Sequence, residues 1–155
     1  MPNRIAIVVI LIVIMLIGSF LHYLHQPQFK CESQFTIAQQ INQDRILSEG
    51  IISMSMTDKN LLIGIDGLVT HNNEKYIISR TLKAKYKKYD AGSHLYKLLY
   101  INIIRDDTDN INDKIANNLL FTEDTDNRII FIKESEHGII LFGNHNFPQY
   151  GCRKK

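Results

Sequence analysis

Arg80 has the most unusual chemical setting in this sequence. Tyr76, Ile78, Leu82, Ala84 and Tyr86 fall on alternate positions around it, and Arg80 shares their parity. In a strand its guanidinium would therefore point with the apolar side chains. A charge so placed must be paired, or meet water or a ligand. Two readings stand. One is an internal ion pair or a position near a barrel mouth. The other is a contact with the anionic end of an amphipathic ligand whose body lies on Tyr76, Ile78 and Leu82. The two cysteines, Cys31 and Cys152, bracket nearly all of the chain that follows the N-terminal segment. They read as a disulfide or as two buried thiols. A bond would close one long loop, worth on the order of 4–5 kcal/mol by chain-entropy reasoning, and would persist in an oxidising compartment.

Other candidate groups have plainer readings. Asp106 to Asp113 invites a calcium loop, with Asp107 and Asp109 at its first two ligand positions, but Ile111 fills the third and Asn112 replaces the required glycine. Acidic residues at a helix N-terminus are expected from the dipole alone. The six histidines form no recognised metal spacing; His22 and His25 read as interfacial belt residues or as pH sensors. Lys83, Lys85 and Lys87 alternate with Ala84 and Tyr86, the pattern of a solvated strand face, or of lysines that blunt a sheet edge. No nucleophile elbow, HExxH or phosphate-cradling glycine loop is present. The expectation is no catalytic residue, no metal, no cofactor and no enzymatic activity.

The elements that must position these groups begin with an apolar N-terminus. From Ile5 to Leu21 there is no charged residue, and carrying the run to Leu24 gives about 20 residues, enough to cross a hydrocarbon core of roughly 30 Å. The rival, a cleaved signal peptide, needs a shorter apolar region and a small-residue site that Ser19–Leu24 does not offer. The expected organisation is a cytoplasmic tail at 1–4, a transmembrane helix at 5–24, a stalk at 25–31 and a β-rich domain at 32–155. Arg4 is the charge that sets orientation, placing the N-terminus in the cytoplasm and the domain in the periplasm of a bacterial inner membrane. Of the 18 basic and 16 acidic residues only Arg4 precedes the apolar run. The outer part is thus nearly neutral and has no electrostatic footprint for nucleic acid.

Beyond the stalk the apolar periodicity becomes alternating. Phe35 and Ile37, Ile52 to Met56, Leu61 to Val69, Tyr76 to Tyr86, Leu95 to Ile104, and a hairpin of 128–133 with 138–142 read as strands. Leu95–Ile104 is apolar on both faces, as a central or doubly covered strand would be. Turns are expected at Asp58-Lys59-Asn60, at His71 to Glu74 and at Glu134 to His137. Ile111, Ile115 and Leu119 predict one short amphipathic helix with Thr108 or Asp109 as its N-cap. The fold class is mainly β (α+β): an antiparallel curled sheet or open lipocalin-like barrel with one short helix, preceded by one N-terminal transmembrane helix.

With this anchor, the Pro27-x-Phe29-x-Cys31 stalk, the alternating strands and Cys152, the chain resembles the FidL-like family of enterobacterial membrane proteins over nearly its full length. That family is similar in size and layout to the ToxS/VtrC-type small partners of membrane-bound regulators. The resemblance implies a periplasmic co-component of a membrane-bound, winged-helix ToxR-like transcription regulator. It would pair with the regulator's periplasmic domain as a heterodimer, stabilise it, and sense an amphipathic ligand such as a bile salt. A four-residue tail holds no domain, so output would pass through that partner. An open barrel would also leave edge strands that another chain can complete. The alternative is a membrane-anchored envelope assembly factor or chaperone without a small-molecule ligand.

Overall fold

The computed structural model describes residues 2–24, 28–41, 44–90, 92–120 and 128–155. Helix α1 spans Pro2–Leu24, and its described side chains, Ile7 to Phe20, are all exposed. Among the described residues no helix is long and apolar enough to cross a membrane. The helix expected at 5–24 is present and begins at Pro2.

Eight strands follow: β1 Phe29–Ile41, β2 Asp44–Thr57, β3 Asn60–His71, β4 Glu74–Lys88, β5 Leu95–Arg105, β6 Ile129–Glu134, β7 Ile139–Asn144 and β8 Pro148–Lys154. They pair antiparallel in sequence order and close into a barrel. The expected open sheet is corrected on this point, because β8, which strand patterning did not reveal, returns to β1. Pro148, Gly151 and the basic tail obscure its short alternation of Tyr150 and Cys152. Phe29–Cys31, expected in the stalk, are already strand.

Chain turns fix the register. Asp58-Lys59 and Asn72-Asn73 all have positive φ, the two-residue turn whose twist matches right-handed strands. The inward face of β1–β4 carries a row of cross-strand neighbours, Phe35–Gly50–Gly67–Ile78. A Cβ on Gly50 would lie 2.1 Å from the Asp66 carbonyl oxygen, and one on Gly67 would lie 2.2 Å from that of Glu49. The two strand backbones approach too closely for any side chain, so this pair is a corner at which the sheet folds over.

β5 explains its own apolarity on both faces. Its pairing with β4 slips by one residue between Lys85↔Leu99 and Lys83↔Asn102. Tyr100 is the extra residue, at φ 50° and 83% exposed. The bulge switches parity, so Tyr96 and Leu98 before it, and Ile101 and Ile103 after it, contribute to one core. The barrel interior is filled: Ile52, Met54, Met56, Leu61, Ile63, Ile65, Ile78, Leu82, Ile130 and Phe142 are fully buried.

The short helix α2 is Asp113–Leu119, beginning later than the apolar spacing predicts, with Asn112 as N-cap accepting from the Lys114 amide. The physical reason lies in the preceding residues. Asp109 and Asn110 are held to β4 by side-chain and backbone hydrogen bonds, and cannot enter a helix. Ala116, Leu119 and Leu120 bury against the barrel core. The lysines of β4 do lie exposed, but β4 is paired on both sides, so they guard no edge.

Candidate functional site

The polar centre of the barrel is built by β4, the end of β5 and the segment leading to α2. Parity directs Arg80 inward from β4, where it is 4% exposed. Its Nε donates to Asp109 Oδ2 at 2.8 Å, and Nη2 donates to Asp109 Oδ1 at 3.0 Å and to the Ile111 carbonyl at 3.2 Å. Nη1 lies 2.8 Å from Asp113 Oδ1. Each nitrogen of the guanidinium thus has an acceptor.

Asp109 is equally buried and equally well supplied. It accepts from the Ser79 amide at 3.0 Å, and Arg105 Nε lies 2.9 Å from its Oδ1. Arg105 also donates twice to the Asp109 carbonyl, at 3.1 and 2.8 Å. Burial alone would push the Asp109 carboxyl up. The hydrogen bonds from Arg80 and Ser79 and the charges of both arginines outweigh it and hold the group below the usual carboxylate range. The bond to Asp109 in turn raises Arg80 above its ordinary value despite burial. This is a bidentate, charge-assisted pair with its remaining sites filled, the form in which a buried charge pair is tolerated.

Chemically the cluster is a clamp. It ties the 106–112 segment, and through it α2, to the outer half of β4. At its far end α2 is held again, where the buried Tyr150 hydroxyl donates to the Leu119 carbonyl at 3.2 Å. Among the described residues, no group of three His, Cys, Asp or Glu side chains could hold a metal ion.

The residues expected to line a ligand site are therefore placed as follows. Ile78 and Leu82 are fully buried in the packed interior, Tyr76 is half-buried with its hydroxyl bonded to Glu74, and Arg80 is engaged by carboxylates. A shallow depression of about 550 Å³ lies elsewhere, at the β1–β2 end, lined by Ala38, Gln39, Gln40 and Arg45. Asp109 and Arg105 are the polar residues that sequence reasoning missed. Arg80's parity demands an acid, but four aspartates lie between 106 and 113 and spacing does not choose among them.

Cys31 and Cys152 are bonded, with Cα atoms 5.4 Å apart across 121 residues. The bond sits on a narrow seam. β1 pairs with β8 at Cys31↔Lys154 and Glu32↔Arg153, and the Lys155 amide donates to the Lys30 carbonyl beside them at 2.8 Å. Phe35 packs edge-on against Tyr150 just beyond, with ring centroids 5.5 Å apart. From Ser33 to Ile41, β1 pairs with β2 alone among the described residues. β5 behaves alike: Leu95–Lys97 pair with β6, whereas Asn102–Arg105 pair with β4 alone among the described residues. Both open stretches lie toward the same end of the barrel, the end from which the clamped segment departs.

Comparison with known proteins gives a family match. The family model described as FidL-like putative membrane protein matches residues 67–152, more than half of the chain. No curated protein and no solved structure matches it. The matched span runs from the Gly67 corner to Cys152 and contains the whole Arg80–Asp109–Arg105 clamp; α1 and Cys31 lie before it. With residues 67–152 matched, more than half of its length, the chain belongs to the FidL-like family.

Proposed function

We propose that this protein is a membrane-anchored accessory subunit whose barrel pairs with the periplasmic domain of a membrane-bound, ToxR-like transcription regulator and stabilises it. The observation that carries the reading is the open stretch of β1. A strand with unpaired amide and carbonyl groups is a template for a strand of another chain, and among the described residues Ser33–Ile41 offers a long one. The anchoring role of α1 is supported by its continuous exposed Ile, Val, Leu and Met side chains, which need an apolar surrounding. With the N-terminus cytoplasmic, as Arg4 suggests, the disulfide-bonded barrel lies in an oxidising compartment. The reading does not extend to a ligand inside this barrel, where the interior is packed and Arg80 is engaged.

A second reading, an envelope assembly factor or chaperone, has its own observation. Ile51, Leu68 and Ile77 are exposed on the outer wall of β2–β4, with Leu68 directly opposite Ile77. One experiment separates the two. A photoreactive amino acid at the exposed position Thr36, in the middle of the open edge, is crosslinked in native membranes and its adducts identified by mass spectrometry. A single membrane-bound winged-helix regulator as the dominant adduct supports the co-component. Adducts to many exported proteins support the chaperone. An adduct-free chain would overturn both.

A further inference from the structure

The near-neutral total charge of the outer domain conceals a polarity. One rim of the barrel holds the start of β1, the β2–β3, β4–β5 and β6–β7 turns and the end of β8. Here Lys30, Lys59, Lys87, Lys97 and Arg153 stand without an ion pair among the described residues. Of the acids near this rim, Glu134 is held by Lys154 at 3.0 Å and Glu32 by Lys155 at 3.2 Å. Asp58, Asp90 and Glu136 remain, fewer than the free cations. The opposite rim is mixed: Glu74, Asp106, Asp107 and Asp113 stand there with Arg45, Lys75, Arg105 and Lys114, and Asp113 is engaged by Arg80 at 2.8 Å.

Lys87 and Lys97 are direct cross-strand neighbours on β4 and β5. Like charges in that position destabilise a sheet unless an anion relieves them. Beside them Tyr89 is 57% exposed in the β4–β5 turn, an amphipathic ring of the type that settles among headgroups. This rim is also where the chain arrives from α1. Four residues separate Leu24 from Phe29, so their Cα atoms can lie about 18 Å apart at most.

We propose that this rim is a docking surface for anionic phospholipid headgroups, which holds the barrel upright on the bilayer with the open stretch of β1 directed outward. The proposal rests on the reading of α1 as an anchor. Lysines near a charged bilayer surface act additively and within about a Debye length, so a ring of them next to an anchor would select one orientation of the barrel.

The sequence contains no tryptophan, so Tyr89→Trp makes a single fluorescent reporter in the full chain. That variant is mixed with vesicles of phosphatidylcholine alone, or with about a third phosphatidylglycerol, and followed by flotation, emission wavelength and quenching by brominated lipid. The expected result is flotation with both, with a blue shift and quenching only in the anionic vesicles. Salt at about 1 M, where the Debye length is ~3 Å, reverses the shift. In the same background, Lys87→Gln with Lys97→Gln lowers the docked-to-undocked ratio roughly tenfold or more. Flotation with both and no shift in either overturns the rim and leaves the anchor, and would redirect the lysines to an acidic protein partner. Flotation and shift with anionic vesicles alone keep the rim and overturn the anchor. No flotation with either overturns both.

Discussion

With Asp109 truncated, Arg80 would keep Asp113 and the Ile111 carbonyl but lose the buried carboxylate that fills two of its donors. Breaking a buried pair strands its partner in low dielectric and costs about 3–5 kcal/mol. Asp109→Ala is expected to lose that much in urea unfolding, with α2 becoming the first segment to exchange its amides. The pair also fixes a pH dependence. The folded Asp109 carboxyl sits below its unfolded value, so its stabilisation is complete above the ordinary aspartate range and is lost as pH falls through the folded value. Stability should therefore fall below about pH 4. An Asp109→Asn variant should be weaker at neutral pH and show a flatter profile in that acid window. At this scale the sequence spoke in one direction only. Alternate positions declared that Arg80 points inward, but its acid came from a segment 29 residues away, brought in by tertiary folding.

Among the elements, the strands were legible where alternation was long and unbroken, as in β3 and β4, and the two positive-φ turns were legible from their Asp, Lys and Asn content. What could not be read was any departure from the period. The bulge in β5 made one strand look apolar on both faces, and the hydrogen bonds of Asp109 and Asn110 to β4 shortened a helix whose apolar spacing promised more. The Gly50–Gly67 corner was equally silent, since a glycine inside a strand pattern announces a bend without saying how tight. The corner makes a sharp prediction. Gly50→Ala places a methyl carbon against the Asp66 carbonyl oxygen, and the strands must part to admit it. The expected loss is about 3 kcal/mol, read as a lowered urea midpoint with the slope unchanged.

For the molecule as a whole, ring closure depends on very little. The first and last strands share two residue pairs and one disulfide, so the covalent bond and the seam are coupled. Reduction should cost on the order of 4–5 kcal/mol, measured as the shift in urea midpoint with and without reductant. Amide exchange should rise first at Cys31, Glu32, Arg153 and Lys154. The cysteines themselves could be singled out from sequence as a candidate pair, with two buried thiols as the alternative, because they bracket the domain. Closure of the barrel could not, because it rests on a terminal strand of seven residues containing proline and glycine.

Tyr100 gives the sheet something other than curvature. The residues on either side of it, Leu99 and Ile101, already occupy the outward and inward places that an uninterrupted ladder would assign them, between the pairs Lys85↔Leu99 and Lys83↔Asn102. Excision of Tyr100 would thus leave its neighbours in frame, with Ile101, Ile103 and Arg105 on their present face. A chain lacking that one residue should fold, form the same disulfide and keep the Arg80–Asp109 clamp. β5 in effect carries a removable letter, whose ring lies under the Lys85 ammonium with the nitrogen 5.8 Å from its centroid.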